Sequence, residues 1–233
     1  MAWKTGFLVL TLFAIASTNG LLTACYSVSS NENPPNATAT DASAMQHTGH
    51  DSGMMHHGMA MDNGPADAYY DLRFIDGMRL HHRGAIAMAE VASQKSQRRE
   101  IKSLARNIII TQNREEQELL AKWRKAWYPQ ASVEPVTYGG EGKPIVAMTK
   151  EQQQSMAMSE DLGSADAKFD LRFLNAMITH HSGAIAMAQD ALLKSKRPEI
   201  KQLAREIATS QQTEIDQLTS SLTRLAGAIQ AGE

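Results

Sequence analysis

The sequence predicts an all-α protein, a four-helix bundle built from two duplicated helical hairpins behind an N-terminal Met/His-rich segment that reads as disordered. Three observations carry this. Setting Asp71 on Asp170, an offset of 99, aligns residues 66–119 with 165–218 without a gap, and about 30 of the 54 positions are identical, the self-similarity of a repeated unit. Within each copy the apolar residues recur at helical spacing. A lone helical hairpin leaves an apolar stripe uncovered, so the two copies are expected to pack together; pairing of each hairpin with a second molecule is the alternative.

Composition narrows the chemistry before any element is placed. The 233 residues carry 23 Lys and Arg against 25 Asp and Glu, a formal charge of −2, with pI ≈ 6.4. This lacks the basic excess of a nucleic-acid binder. One Cys excludes an internal disulfide and all-thiolate zinc or iron–sulfur sites. The sulfur is thioether instead, 13 Met beside 8 His.

Residues 1–24 read as a signal peptide, with Lys4 ahead of the apolar run GFLVLTLFAIA at 6–16. Leu22-Thr23-Ala24-Cys25 resembles a bacterial lipobox, which would make Cys25 the lipidated first residue of the mature protein. Cleavage after Ala16 or Ala24, or an uncleaved anchor, are the other readings, and all three put the folded part outside the cytoplasm. Residues 25–65 are Ser-, Asn-, Pro-, Thr-, Ala- and Gly-rich without helical spacing. Inside them, residues 45–61 hold five Met and four His in 17 positions. His-rich tracts are compositional metal binders, and added thioethers point to Cu(I). The candidate ligands are Met45, His47, His50, Met54, Met55, His56, His57, Met59 and Met61.

Residues 66–127 are the first hairpin repeat. Its turn is expected near Ser96 to Arg98, and Ile101, Leu104, Ile108, Glu115 and Leu119 mark the inner stripe of its second helix. Residues 128–150, with three Pro and three Gly, are a crossover linker long enough to let the third helix run either way relative to the first. Residues 151–233 are the second repeat, its turn at Ser195 to Arg197 because Pro198 suits a helix's first position. Ile200, Leu203, Ile207, Ile215, Leu218 and Leu222 form its stripe.

The chemistry falls on the first helix of each copy. At 100° per residue, Arg83 faces outward with Asp76, Arg79 and Glu90, while Phe74, Met78, His81, Ala85, Met88 and Ala92 face inward and His82 flanks them. Met78 lies one turn from both imidazoles, so one ion could be held by Met78 with His81 or His82. Met88 stands roughly 10.5 Å further along the axis, so it completes a second subsite with another helix or simply packs. Met177, His180, His181 and Met187 repeat the pattern. Met148, Met156 and Met158 precede the second copy, and Met156 and Met158 join the candidate ligands. Plastic core filling is the competing reading. It would spread Met over all four helices, yet 100–127 and 199–233 contain neither Met nor His. Glu115 and Glu214, each one turn after Gln112 or Gln211, are read as capping polar gaps or lying at the surface, with orientation of an imidazole as the alternative. Di-metal oxidation in a bundle uses Glu-x-x-His; here Met78 and Met177 occupy the carboxylate slot.

The pattern Phe74-x3-Met78-x2-His81-His82-x2-Ala85-Ile86-x-Met88-Ala89, followed by Glu100, Leu104-Ala105, Ile108, Gln112 and Glu115, recurs at Phe173, Met177, His180, His181 and Met187. It resembles a bacterial family of exported helical-bundle proteins classed as a domain of unknown function, whose members include a periplasmic copper-binding protein of copper resistance. The resemblance covers about 110 of 233 residues. It implies a ferritin-like bundle that binds copper and is exported to periplasm, thylakoid lumen or medium. The family often carries a Met near the end of the second helix, where this chain has Leu119 and Leu218.

The expectation is therefore a non-enzymatic copper-binding protein for sequestration, trafficking or resistance, taking Cu(I) and also Cu(II), with a membrane copper sensor or exporter as partner and no nucleic acid. The alternatives are a cuprous or ferrous oxidase, and a lipid-anchored interaction module without metal. His-dependent sites are expected to weaken as pH falls through about 6.5, and Met-dominated Cu(I) binding to persist.

Overall fold

The computed structural model describes residues 61–232. The signal peptide, Cys25 and the tract from Met45 to Met59 lie outside the described residues. Helix α1 spans Tyr70–Lys95 and α2 Arg99–Arg114; α2 runs on through a π-helical stretch, Glu115–Leu120, into α3, Ala121–Trp127. The crossover holds β1, Val136–Thr137, paired antiparallel with β2, Val146–Ala147, and is followed by α4, Lys150–Ala157. Helices α5, Phe169–Lys194, and α6, Pro198–Ala231, complete the molecule. Among the described residues no helix is long and apolar enough to cross a membrane.

Both hairpins turn in three residues, and in both a serine makes the turn. The Ser96 backbone N–H closes on Ala92 O at 3.0 Å, and its hydroxyl oxygen accepts the Arg98 N–H at 3.1 Å. Ser195 does the same with Ala191 and Arg197. Pro198 opens α6, where a missing N–H costs nothing.

The bundle is closed by the seam between α1 and α5. Gly77 lies against Met187, Gly183 against His81 and Gly84 against His180. The numbers fall on one helix as they rise on the other, so α1 and α5 are antiparallel. With each hairpin antiparallel within itself, the order is up, down, down, up, the ferritin-like arrangement that needs one long crossover. Reciprocal latches join the copies. Lys95 Nζ donates to Gly163 O and Lys194 Nζ to Gly64 O, both at 2.9 Å. Arg98 pairs with Asp170 at 3.5 Å and Arg197 with Asp71 at 3.4 Å.

The duplication reaches further back than residue 66. In each copy an Asp carboxylate, Asp62 or Asp161, accepts the N–H of a left-handed glycine two residues on, Gly64 or Gly163, at 2.8 Å. An arginine, buried in the first copy and partly exposed in the second, then fastens that turn to the helix. Arg73 donates to Asn63 O at 2.6 Å and Pro65 O at 2.7 Å; Arg172 donates to Leu162 O at 2.8 Å and Ser164 O at 2.7 Å. These turns bring the residues ahead of each repeat, Met61 included, against the bundle.

Two expectations are corrected. Asp76 is not outward-facing: it is 2% exposed, because Arg124 of α3 forms an ion pair with it and the Val136 N–H donates to it at 3.0 Å. The crossover covers this flank of α1. In the second helix Leu119 is only partly buried, while Leu120 is fully buried and matches Leu218. The π stretch inserts one residue, so the inner stripe slips by one position after Glu115.

Leu120→Ala should therefore cost about 2–5 kcal/mol, and Leu119→Ala less than half as much, in urea unfolding. Equal losses would contradict the shifted register.

Candidate metal centre

Four imidazoles form a layer across the middle of the bundle, one apolar cluster on each side. Towards one end lie Met61, Phe74, Ile75, Met78, Leu120, Met148, Met156 and Met187; towards the other lie Met88, Ile101, Ile108, Phe173, Met177 and Leu218. The helical repeat that buries both apolar stripes also aims the histidines inward, and His81, His82, His180 and His181 are all 0% exposed.

His81 and His180 meet across the seam with ring centroids 3.8 Å apart and planes tilted by 51°. Among the described residues neither His81 nitrogen finds a partner, nor does His180 Nδ1. His180 Nε2 lies 3.1 Å from the Ala157 carbonyl oxygen at the end of α4. Burial, reinforced by the neighbouring imidazoles, pushes His81 well below the ordinary histidine range. Burial first, and then the charge His181 could carry, pushes His180 down to about 3. Both rings are thereby held toward the neutral form. The expected weakening of imidazole binding below pH 6.5 therefore does not extend to this pair, each ring of which keeps one nitrogen lone pair unprotonated to lower pH.

The flanking rings are built differently. His82 Nε2 pairs with Glu115 Oε2 at 2.7 Å and His181 Nε2 with Glu214 Oε2 at 2.6 Å, while both Nδ1 atoms are buried without a partner among the described residues. Glu115 and Glu214 are thus neither gap-fillers nor surface residues. In a neutral ring donating from Nε2, the lone pair is on Nδ1. A carboxylate that fixes the tautomer in this way is the usual outer support of a metal-binding histidine. Gln112 and Gln211, one turn before, are buried with both side-chain polar atoms unpartnered. Glu214 lines a cleft of about 380 Å³ between α2 and α6, which meets solvent.

Sulfur reaches the imidazole pair from outside the helices. A methyl group placed on Gly183 would lie 3.0 Å from His81 Nε2, 3.1 Å from the Met158 sulfur and 3.5 Å from the Met61 sulfur. One nitrogen and two thioethers therefore converge on the space that the missing side chain leaves. On the opposite side a methyl on Gly84 would collide with Ala157 O at 1.7 Å and lie 3.2 Å from His180 Nε2. Met158 is in the left-handed region, φ 46°, a conformation rare for a non-glycine residue. Among the described residues no group of three or more His, Cys, Asp and Glu side chains is placed to hold a metal ion, so an ion held here needs the thioethers.

The predicted site residues thus separate. Met61 and Met158 converge with His81, which meets His180. Met78, Met156 and Met187 sit together in the first cluster. Met88 and Met177 share the second, where the Met88 sulfur accepts the Glu160 N–H at 3.4 Å. Met45, His47, His50, Met54, Met55, His56, His57 and Met59 lie outside the described residues. Sequence reasoning passed over Gly84 and Gly183. The available signal was a glycine repeated mid-helix two positions after each His-His pair, where it costs about 1 kcal/mol relative to Ala.

The family described as "Domain of unknown function (DUF305)" matches residues 71–222. Protein L153 of Acanthamoeba polyphaga mimivirus is 49% identical over 53 residues, 23% of this chain and 35% of that protein, so the chain spans about a third of this curated relative. Among solved structures, CopM in its Cu(II)-bound form is 33% identical, with a TM-score of 0.51 over 66% of this chain and 96% of that one. A DUF305 fragment from Deinococcus radiodurans is 28% identical, with a TM-score of 0.54 over 69% of this chain and 99% of that one.

The lowered imidazoles make stability depend on pH. The unfolded chain takes up protons near pH 6.5 that the folded His180 refuses until about 3, so this stabilisation is complete above pH 6.5 and drains away as pH falls. His180→Gln should flatten the dependence of unfolding free energy on pH by about 1.4 kcal/mol per pH unit between pH 6 and 4, measured by urea unfolding. Parallel profiles would contradict a neutral, buried His180.

Proposed function

The chain belongs to the DUF305 family, and from that premise we propose that it is a copper-binding protein that takes Cu(I), and to a lesser extent Cu(II), outside the cytoplasm. The observation that carries this reading is the imidazole pair, His81 against His180, buried with both His81 nitrogens and His180 Nδ1 unpartnered among the described residues, beside two convergent thioethers. An unpaired polar group in a dry core costs about 1–3 kcal/mol, and a soft ligand that accepts those lone pairs removes the cost. Imidazole and thioether together suit Cu(I). Neither needs deprotonation to bind, and thioethers escape the disulfide formation that consumes thiols in oxidising compartments.

The likeness to CopM, solved with Cu(II), supports copper as the metal. His81, His180, Met61 and Met158 are the residues that would hold the ion, with His82 and His181 offering Nδ1 from carboxylate-braced rings. The 45–61 tract would gather copper before the bundle does, and the leader, with or without a lipid on Cys25, would place the protein in periplasm, thylakoid lumen or medium. A membrane copper sensor or exporter is the partner that such a carrier would serve. The role is binding and transfer rather than catalysis. The two carboxylates nearest the layer, Glu115 and Glu214, are committed to imidazole nitrogens, unlike the ligating carboxylates of di-metal oxidases.

Competition for Cu(I) against a chelator at pH 7.5 tests the reading. Gly183→Ala should weaken the site at least tenfold by filling the space between His81, Met61 and Met158, while melting stays level or rises because Ala favours helix by about 1 kcal/mol. The His81→Ala/His180→Ala variant should lose this site. Unchanged Cu(I) retention in both variants would overturn it.

A further inference from the structure

The duplication relates the two ends of the bundle, yet sulfur is distributed unequally among the described residues. One cluster buries Met61, Met78, Met148, Met156 and Met187; the other buries only Met88 and Met177. Bulk packing does not require this, since Phe, Leu and Ile fill the second end.

A polar residue breaks the symmetry at the same place. Asn63 and Leu162 are equivalent under the offset, and both are buried, at 2% and 3% exposure. Leu162 satisfies its position with an apolar side chain. Asn63 Nδ2 instead has no partner among the described residues, and its Oδ1 points into the seam. A methyl placed on Gly77 would lie 3.0 Å from Asn63 Oδ1, 3.2 Å from the Met187 methyl and 3.4 Å from the Met156 methyl. The methyl ends of two methionines and an amide oxygen therefore converge there, with Met78 close by on α1 and 0% exposed. Gly77 precedes His81 by four residues, roughly 6 Å along the axis, so this space is not the one facing the imidazoles.

We propose that Met78, Met156 and Met187, with Asn63 beside them, form a second core site that takes a monovalent soft ion, Cu(I), through sulfur alone. The proposal rests on the copper reading of the protein but not on the imidazole pair. Thioethers bind d¹⁰ monovalent ions and leave harder divalent ions to imidazole and oxygen. The Asn63 oxygen turns the negative end of a dipole toward a cation that would otherwise stand unsolvated in hydrocarbon. The site would add a Cu(I)-selective position to one half of a nominally symmetric bundle.

The full chain labelled with ¹³C at the Met methyls tests this, with Cu(I) as the probe. In the His81→Ala/His180→Ala variant, the methyls of Met78, Met156 and Met187 should still shift on adding Cu(I), and those of Met88 and Met177 should not. Met78→Leu/Met156→Leu/Met187→Leu conserves volume and removes sulfur. It should lose one equivalent of bound Cu(I) while the imidazole site keeps its affinity within threefold. Unmoved methyls in the histidine variant, or full stoichiometry in the leucine variant, would overturn the proposal. Failure of the unaltered chain to take up any Cu(I) would remove the copper reading with it.

Discussion

His81 and His180 meet ring against ring where α1 and α5 cross, and that contact depends on how closely the two helices approach. Glycine in the seam makes the approach possible: at Gly84 there is no room for even a methyl, because the Ala157 carbonyl occupies the space. A closer seam expels water, and expelling water keeps both imidazoles neutral. The same closeness leaves nitrogen lone pairs without protein partners. What would be a defect in an ordinary core is, at a binding site, an affinity for something that accepts lone pairs.

Around this contact the duplication works as a framework of reciprocal restraints. Lys95 and Lys194 each hold a turn of the other copy, and Arg98 and Arg197 each reach the first turn of the other copy's leading helix. The departures from symmetry lie where function would need them. The π stretch in the first copy presents Glu115 to His82 and Glu116 to Arg79 and Arg83, while α6 of the second copy is regular and presents Glu214 to His181. Helix α4 has a sharp start, where Thr149 and Gln152 exchange hydrogen bonds, and ends on the left-handed Met158 whose sulfur faces Gly183.

Fold class, hairpin turns and inward histidines were legible in the sequence because each rests on local periodicity or on the repeat. Ser96 and Ser195 mark turns that the apolar spacing already demanded. The Met stripe was legible for the same reason. Elsewhere the deciding contact came from a distant segment. Asp76 looks solvent-facing on a helical wheel, and only Arg124 and the crossover strand make it buried. Leu120 replaces Leu119 because a π turn carries no distinctive residue pattern. The sulfurs of Met61 and Met158 reach His81 through turns fastened by Arg73 and Arg172, which no spacing rule anticipates. Glu115 and Glu214 could be read either way until the helix pairing was known.

Copper is tied to a pair of rings in which both His81 nitrogens and His180 Nδ1 have no partner among the described residues. Cu(I) is diamagnetic, so the rings can be observed directly, by ¹⁵N NMR of the histidine side chains during addition of Cu(I) to the full chain. Ring nitrogens of His81 and His180 should shift together as copper binds. Bound copper with both rings unshifted would contradict this.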